Sequence, residues 1–357
     1  MALQNESNQY YRHSIRNIGV IMKQVTVVIC AYNSENTIAK CIRSVSNQSY
    51  KNLQILVVND GSTDNTMDVC EELMKRDPRI IVVNQPNSGV SAARNKGLVN
   101  TTGDYVTFVD SDDYLENDHI EKLISGIDGN RLAITGYYYD LLDSNGRLIR
   151  RTEKKEDISG EYFLNDLANL YSKELLAVVW NKLYITSMIN GQNIRFDENI
   201  RLGEDFLFNL DYLSCCRVKS FFVCKDTTYH YINQKKERLS SSYNEDFINI
   251  QNTIFHKFKS LVSKYDNESL KKINYLHANA LFASIDNLMM IKKKLPKSGF
   301  KKIYGSSVRK INDELDIILE MTENLKVIEF RRFLLNNNMF ALDTMIRNCA
   351  KVILGYK

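Results

Sequence analysis

The 357-residue sequence predicts an α/β fold: a doubly wound, mostly parallel sheet with helices on both faces, followed by a helical C-terminal region. Two observations lead to this fold class. From Val25 onward, short β-branched runs alternate with amphipathic segments of helical length, and from about Asn244 only the helical pattern continues. Strands that are apolar along their whole length, and that are separated by helical crossovers, indicate a parallel sheet buried on both faces.

Four strand–helix units can be placed in order along the first part of the chain. The predicted strands cover 25–32, 53–60, 80–85 and 105–110. Each is rich in valine, isoleucine and other β-formers, and each is followed by a segment whose apolar residues recur at helical spacing. This repeated alternation is typical of successive right-handed crossovers in one sheet.

The pattern becomes mixed after about residue 130. The turn composition Asp-Ser-Asn-Gly at 143–146 predicts a hairpin between two strand-like runs. We expect three regions: an N-terminal extension at 1–24, an α/β domain at 25–243 and a helical domain at 244–357.

The composition excludes several classes of protein. The sequence has 44% apolar and 25% charged residues, which is ordinary for a soluble globular protein. It lacks an apolar run of about 18 residues, and its N-terminus lacks the apolar core of a signal peptide, so we expect a cytoplasmic location. The seven cysteines form no C-x-x-C pair, which argues against a zinc knuckle or a disulfide framework.

The charge is unevenly distributed along the chain. Residues 245–357 hold 19 Lys and Arg against 12 Asp and Glu, a net charge of +7, which leaves −3 for residues 1–244. The most basic stretch is KKKLPKSGFKK at 292–302. Basic amphipathic helices suit peripheral contact with the inner face of a cell membrane, although a homo-oligomer interface or a solvated face fits the same pattern. We expect no nucleic acid partner, because no recognition motif accompanies the charge.

Polar residues follow the predicted strands at the point where each strand ends. The first strand leads into Ala31-Tyr32-Asn33, the second into Asp60 and Gly61, and the fourth into TFVDSDDY, which has acids at 110, 112 and 113. In open α/β sheets, ligands bind at the carboxyl ends of the strands. Three carboxylates within four residues repel one another, so they indicate either a solvated acidic turn or a cation site.

Six ordered motifs resemble those of family 2 glycosyltransferases with the GT-A fold. They are VTVVICAYN, VVNDGSTDNT, NQPNSGVSAARNKG, TFVDSDDYL, VWNKLY and GEDFLFN. The resemblance covers about residues 25–240 and leaves out the N-terminal extension and the helical tail. It implies an inverting, metal-dependent transfer of a sugar from a UDP-sugar to a glycan or lipid-linked glycan, in the assembly of a cell-surface or capsular polysaccharide.

The acidic loop matches the D-x-D motif of that family. By the resemblance, Asp112 is the direct metal ligand, Asp110 belongs to the metal site and contacts the ribose or a metal-bound water, and Ser111 lies at the nucleotide site. Mn²⁺ or Mg²⁺ is the expected cofactor, because hard cations prefer carboxylate and phosphate oxygens. Asp113 belongs to the same acidic loop, but it also fits a purely structural role as the cap of the following helix.

The nucleotide residues follow from the same resemblance. Asp60 holds the uracil and the segment Ala31-Tyr32-Asn33 brackets the nucleoside, although Asp60 also fits a plain turn before a helix. Arg94 lies near the diphosphate, where a guanidinium binds phosphate well. A salt bridge from Arg94 to an acid of the D-x-D loop is the alternative.

The motif GEDFLFN supplies the predicted catalytic groups. By the resemblance, Asp205 is the general base and Glu204 binds the acceptor or orients the site. The alternative is that these acids only stabilise a helix N-terminus. Trp180 either offers a flat face to a sugar ring or packs in the core, and His230 is interpreted as a buried, hydrogen-bonded histidine rather than a metal ligand.

Three other functions are alternatives to this one. A sugar-1-phosphate nucleotidylyltransferase needs a glycine-rich loop after the first strand, which CAYNSEN lacks. A processive synthase needs membrane spans and a tryptophan motif beyond the base, whereas the sole tryptophan precedes Asp205. A catalytically inactive subunit that scaffolds an active partner remains the alternative. A polar loop with Lys235, Lys236 and Arg238 is expected to fold over the diphosphate or to be simply solvated.

Overall fold

The computed structural model describes residues 22–127, 129–234, 244–263, 266–289, 292, 296–319, 322 and 324–337. One ten-stranded sheet forms the centre of the protein. Its strands are β1 (Val25–Ala31), β2 (Leu53–Asp60), β3 (Ile80–Gln85), β4 (Tyr105–Asp110), β5 (Tyr114–Leu115), β6 (Leu132–Leu142), β7 (Leu148–Lys154), β8 (Gly160–Phe163), β9 (Lys182–Ile185) and β10 (Ser220–Gln234).

Helices lie between the strands and after the last one. They are α1 (Ile38–Ser46), α2 (Thr66–Met74), α3 (Val90–Val99), α4 (His119–Ile127), α5 (Leu167–Ser172), α6 (Thr186–Gly191), α7 (Glu204–Cys215), α8 (Phe247–Val262), α9 (Asn267–Met289), α10 (Lys297–Ile318) and α11 (Leu325–Asn336). The four predicted strand–helix units and the helical C-terminal region are therefore confirmed.

The strand order is β3-β2-β1-β4-β9-β6-β10-β5, with β7 beside β6 and β8 beside β10. The first four strands pair in parallel, and β6 pairs in parallel with β10. Strand β9 runs antiparallel between β4 and β6, so β4 and β6 point the same way. The sheet is mostly parallel, as predicted, and its order reverses between β1 and β4, which is where a ligand crevice is expected.

Burial explains why the first strands form the centre. All eight residues of β2 are buried, and β1 is buried at six of its seven positions. Helix α3 lies against β1, and Gly97 makes this approach close, because a Cβ there would lie 2.3 Å from a methyl group of Val28. Helices on both faces leave these strands with no solvated side, which accounts for their uniformly apolar sequence.

The second half of the sheet is built from hairpins and long strands. Strands β6 and β7 form the hairpin that the turn composition predicts, and Gly146 in its turn has a φ of 77°. β10 is fifteen residues long and pairs with β6 up to Gln234. These strands extend the sheet on the side of the D-x-D loop, because β5, directly after that loop, pairs with β10.

The C-terminal helices pack on the α/β part through α8. Phe258 of α8 contacts the ring of Phe206 in α7 edge-on at 5.4 Å between centroids, and Lys257 Nζ lies 2.5 Å from Asp211 Oδ1. The predicted boundary near 243 and the N-terminal extension fall largely outside the described residues, so that division of the chain stays a prediction. In the described part of the chain, no helix is both long enough and apolar enough to cross a bilayer.

Candidate active site

Arg94 joins the two acidic motifs of the sequence. Its side chain extends from α3 and the residue is 4% exposed. Nη1 lies 2.6 Å from Asp205 Oδ1 and 3.3 Å from Glu204 Oε1, while Nη2 lies 3.3 Å from Asp110 Oδ1. One guanidinium therefore holds the end of β4 and the start of α7 together, although these segments are almost 100 residues apart. The salt bridge that the sequence left as an alternative for Arg94 is present.

The position of Asp205 changes its acidity. Burial raises the pKa of Asp205 to about 7; the positive charge of Arg94 opposes this rise, and the nearby carboxylates of Glu204 and Asp110 add to it. The Asp205 side chain retains 18% exposure, so the carboxyl group can still reach a ligand. A carboxylate with a pKa near neutrality is suited to accept a proton at physiological pH.

Gly203 fixes where α7 begins. It has a φ of 94° and a ψ of 3°, in the left-handed region that glycine enters at low cost, and no side chain caps the helix. Glu204 and Asp205 thus occupy the first turn, where the helix dipole favours negative charge. A Cβ at Gly203 would lie 2.9 Å from Ile254 Cδ1, so the C-terminal helix α8 packs directly on this turn.

The three acids of the D-x-D loop have three different environments. Asp110 is partly exposed and contacts Arg94, whereas Asp112 is exposed at the surface. Ser111 is buried, and its hydroxyl lies 2.8 Å from the hydroxyl of Ser34. Asp113 is buried, and its pKa is raised well above the usual value by burial, with the charges of Asp112 and Asp110 adding to the effect.

Asp113 does not cap the following helix. Its Oδ1 accepts a hydrogen bond from the backbone N–H of Ile232 at 2.7 Å, and its Oδ2 accepts one from the hydroxyl of Tyr229 at 2.7 Å. Both donors belong to β10, and α4 begins six residues further on, at His119. The third acid therefore anchors the loop to a neighbouring strand, and the capping interpretation of Asp113 is wrong.

The loop fits a metal ion that arrives with a phosphate ligand. In the part of the chain that the structure describes, no group of three or more His, Cys, Asp or Glu side chains is placed to hold a metal ion. Mg²⁺ is commonly bound through one or two carboxylates together with substrate phosphates rather than in an all-protein cage. Asp110 and Asp112 provide that donor set, since both remain at the surface of the loop.

Asp60 organises the loop that leads into α3. Its Oδ1 accepts hydrogen bonds from Gln85 Nε2 at 2.8 Å and from the N–H of Ser88 at 2.9 Å, and its Oδ2 accepts one from the N–H of Gly89 at 2.9 Å. A carboxylate has about four acceptor positions. One position therefore remains for a ligand, so the turn-organising interpretation applies to Asp60 and a nucleoside contact stays compatible with it.

The segment after β1 forms the wall next to Asp60. Asn33 has a φ of 47°, and its Oδ1 accepts a hydrogen bond from the N–H of Thr63 at 2.8 Å. Ala31 is buried, whereas Tyr32 is 49% exposed. The structure thus joins the carboxyl ends of β1 and β2 through Asn33 and leaves the Tyr32 ring open to a ligand.

Trp180 lies in the core rather than at an open surface. It is 3% exposed, and its indole stacks on the rings of Tyr229 and Tyr231, with centroids 4.3 and 5.4 Å apart. Tyr137 meets it edge-on at 4.6 Å. Of the two alternatives for this residue, the core-packing one is what the structure shows, because neighbouring aromatic rings cover the indole.

His230 is buried and hydrogen-bonded, as interpreted from the sequence. Its Nε2 lies 2.7 Å from Glu116 Oε1 and its Nδ1 lies 3.0 Å from Asp140 Oδ2, and the ring stacks on Tyr114 at 4.1 Å. Both nitrogens are engaged with carboxylates, so this histidine supports the sheet beside the D-x-D loop. The loop with Lys235, Lys236 and Arg238 lies outside the described residues.

Sequence reasoning missed the role of Lys182. This lysine is fully buried, and its Nζ donates to the carbonyl oxygens of Leu175 and Val178 at 2.7 and 2.5 Å and to Asn181 Oδ1 at 2.8 Å. Burial lowers its pKa well below the usual value, and the charge of Asp205 opposes that change. The signal was a lysine at the start of an apolar strand, which needs backbone acceptors when it is buried.

The sequence is similar to that of known glycosyltransferases. Residues 26–189 match the model of the family described as Glycosyl transferase family 2. The chain is 39% identical over 193 residues to "Glycosyltransferase GlyA" of Streptococcus pneumoniae. The aligned region covers 52% of this chain and 27% of that protein. The chain is 26% identical over 328 residues to "Poly(ribitol-phosphate) beta-glucosyltransferase" of Bacillus spizizenii, and this aligned region covers 88% of this chain and 49% of that protein. The chain thus spans no more than about half of either relative.

The fold is shared with a solved structure. The crystal structure of S. aureus TarS residues 1–349 in complex with UDP superposes with a TM-score of 0.67 at 19% identity and covers 91% of both chains. At this identity the likeness shows the fold, which is the predicted GT-A fold with its helical C-terminal region.

Proposed function

We propose that this chain, which contains a family 2 glycosyl transferase domain, transfers a sugar from a UDP-sugar to a hydroxyl group of a glycan acceptor. The observation that carries the proposal is the buried guanidinium of Arg94, which contacts both Asp110 of the D-x-D loop and Asp205 at the start of α7. A donor diphosphate at the loop and an acceptor hydroxyl at the helix would then meet at one place. The UDP complex of TarS and the glycosyltransferase names of the relatives support this choice of reaction.

Asp112 and Asp110 are proposed to hold Mn²⁺ or Mg²⁺ together with the diphosphate. When bound, the ion neutralises the charge that develops on the leaving diphosphate and orients it. Ser111, which is fixed by Ser34, keeps the loop between the two acids in place. Asp60 and the segment Ala31-Tyr32-Asn33 are proposed to bind the nucleoside, with the exposed ring of Tyr32 against the base.

Asp205 is proposed to act as general base. Arg94 Nη1 holds its Oδ1, and no described group donates a hydrogen bond to its Oδ2, which is therefore available to take the proton from the acceptor hydroxyl. The oxygen then attacks the anomeric carbon from the side opposite to UDP, so the configuration inverts in one displacement. Glu204, also held by Arg94, is proposed to orient the acceptor.

The acceptor is proposed to be a cell-surface polymer or a lipid-linked glycan at the inner face of a membrane. The relative from Bacillus spizizenii is named for a polymer of this kind. Helix α11 supports peripheral attachment through its apolar side chains, because Phe330 and Phe333 are 49% and 56% exposed, whereas the neighbouring Arg332 is paired with Asp316. The same face could pair two copies of the chain, and two of the three lysines at 292–294 lie outside the described residues.

A screen of nucleotide sugars for Mn²⁺-dependent release of UDP tests the proposal. Wild-type protein is expected to turn over at least one UDP-sugar with a glycan acceptor. Asp112→Asn is expected to lose metal-dependent UDP binding, and Asp205→Asn is expected to bind UDP but to lose transfer. Asp211→Asn is the matched control, since Asp211 lies on the same helix and pairs with Lys257 away from Arg94.

The result also separates the active enzyme from a scaffold. Binding of UDP without turnover of any donor, across varied acceptors, would favour the inactive subunit that supports a partner. Equal turnover by wild type and Asp205→Asn would remove Asp205 from the mechanism.

A further inference from the structure

We propose that Tyr229 and Asp113 are positioning residues that hold the D-x-D loop in the shape that binds the metal and the diphosphate. This inference rests on the proposed function and adds two residues that touch neither substrate nor metal in it. Both are buried, and both act through Asp110 and Asp112.

The hydroxyl of Tyr229 connects the two ends of the loop. It donates to Asp113 Oδ2 at 2.7 Å and lies 3.2 Å from the backbone nitrogen of Asp110, whose N–H donates to it. Only Ser111 and Asp112 lie between these two attachment points. A hydrogen bond from the N–H of Asp113 to the carbonyl oxygen of Asp110, at 3.1 Å, closes the same turn. The loop is therefore fixed on both sides of its exposed acid.

The second carboxylate oxygen fixes the loop to the strand itself. Asp113 Oδ1 accepts from the N–H of Ile232 at 2.7 Å, three residues beyond Tyr229 on β10. A buried carboxylate needs such donors, because an unpaired one is costly. These two bonds fix the position of Asp113, and with it the spacing between Asp113 and the neighbouring Asp112.

The ring of Tyr229 is fixed by contacts with two other aromatic side chains. The indole of Trp180 stacks on one side at 4.3 Å with 20° between the planes, and His119 meets the ring edge-on at 6.0 Å. Trp180 therefore contributes to the site indirectly, as the support of the tyrosine that sets the loop. A positioned donor set costs less to organise when the metal binds.

The test compares two buried tyrosines with the same pattern of bonds. Tyr212 is fully buried, its hydroxyl donates to the carbonyl oxygen of Arg131 at 2.6 Å, and it accepts from the N–H of Ile185 at 3.1 Å. Tyr229→Phe and Tyr212→Phe each remove one hydroxyl that bonds a backbone N–H, so their thermal unfolding measures the shared structural cost. Only Tyr229→Phe removes a bond to the D-x-D loop.

Two measurements separate positioning from stability. In calorimetric titration of UDP with Mn²⁺, Tyr229→Phe is expected to weaken binding about tenfold, and Tyr212→Phe is expected to match wild type. Hydrogen exchange without metal or nucleotide is expected to speed up at residues 110–115 in Tyr229→Phe only. Adding Asp113→Asn to Tyr229→Phe is expected to cost less than the sum of the two single effects, because the two residues share one bond.

The outcomes distinguish the inference from the function on which it rests. Metal-dependent UDP binding in wild type that is unchanged in Tyr229→Phe, or equally weakened in Tyr212→Phe, would overturn the positioning role and leave the proposed function standing. Wild-type protein that binds UDP equally with and without Mn²⁺ would remove the proposed metal role of Asp110 and Asp112, and this inference with it, whereas the absence of turnover with any UDP-sugar would count against the proposed function itself.

Discussion

The two halves of the sheet use their polar residues differently. In the half made of β1 to β4, Asn33, Asp60 and Asp110 stand at or just beyond the ends of strands, at the edge of the sheet where a ligand is expected. In the half made of β5 to β10, Lys182 and His230 are almost completely buried. The first half presents groups to a ligand, whereas the second half supports the loops that present them.

This difference explains why the second half tolerates so many buried polar groups. Lys182 and His230 are matched to specific partners: Lys182 has three acceptors and His230 has a carboxylate at each nitrogen. A buried polar group with all its bonds made fixes one arrangement of the chain, because every alternative leaves it unpaired. Changes in the first half should therefore alter activity directly, whereas changes in the second half should alter stability or, as at Tyr229, act on activity only through a loop of the first half.

The largest expected effect is on the chemical step. Asp205→Asn keeps the shape of the side chain but removes the proton acceptor, so transfer is expected to fall about 1,000-fold with UDP affinity preserved. Steady-state rates of UDP release and calorimetric UDP binding measure the two quantities. A variant that lost UDP affinity in proportion to its rate would show that Asp205 supports the nucleotide site instead.

The second effect tests the supporting half. Lys182→Met removes a donor to two carbonyl oxygens and Asn181 Oδ1 in a buried setting, so the free energy of unfolding is expected to fall by about 3 kcal/mol. Lys257→Met is the control, because its ion pair with Asp211 is half exposed and is expected to contribute less than about 1 kcal/mol. Urea unfolding followed by circular dichroism measures both, and equal losses would contradict the stabilising role assigned to the buried hydrogen bonds of Lys182.

The sequence predicted the ligand-facing half better than the supporting half. Asp110 and Asp205 stand at element ends, where a strand or helix boundary can be recognised from apolar periodicity, so their placement follows from the pattern. The partners of Asp113 come from β10, more than 110 residues later in the chain, and nothing in the local pattern encodes that pairing. Trp180 shows the same limit, because the local sequence around a lone tryptophan fits a sugar-binding surface and a packed core equally well. Only the neighbouring side chains in the folded protein decide between the two.

A third prediction concerns pH and compares activity with stability at one residue. The pKa of Asp205 is raised to about 7, so the base is protonated below that value and kcat/KM is expected to fall tenfold per pH unit below about pH 7. A folded-state pKa above the unfolded value of 3.8 means that the native protein binds the extra proton. This contribution to stability is therefore full below about pH 3.8 and is lost as the pH rises through about 7.

Asp205→Asn tests whether the stability of the protein decreases, rather than increases, as the pH rises through about 7. Because the variant has no charge to bury, its thermal midpoint is expected to exceed that of wild type above pH 7 and to approach it at lower pH. Glu72→Gln serves as the control, since its ion pair with Arg76 is exposed on the surface. An increase in wild-type stability between pH 6 and 8 that vanished in Asp205→Asn would reverse the assigned direction.

The smallest expected effect tests whether the C-terminal helices belong to the supporting half as well. Gly203→Ala and Gly129→Ala both place a side chain at positive φ, 94° and 81°, and each is expected to cost about 1 kcal/mol for that reason. Only the alanine at 203 would also meet a neighbour, Ile254 Cδ1 at 2.9 Å, whereas nothing lies within 4 Å of a Cβ at 129.

The Cδ1 atom ends a flexible side chain, so it can move aside, and the excess destabilisation of Gly203→Ala over Gly129→Ala is expected to stay below about 1 kcal/mol. Gly203→Ala is expected to slow sugar transfer more than this small loss of stability would suggest. The displaced turn carries Glu204 and Asp205, and a small shift of a general base slows proton transfer. Ile254→Val, added to Gly203→Ala, removes the Cδ1 atom. The double variant is expected to regain the wild-type rate, but the loss of stability that comes from the backbone conformation at position 203 is expected to remain. If Ile254→Val left that rate unchanged, α8 would only cover the base helix, and its packing on Gly203 would have no part in placing the base.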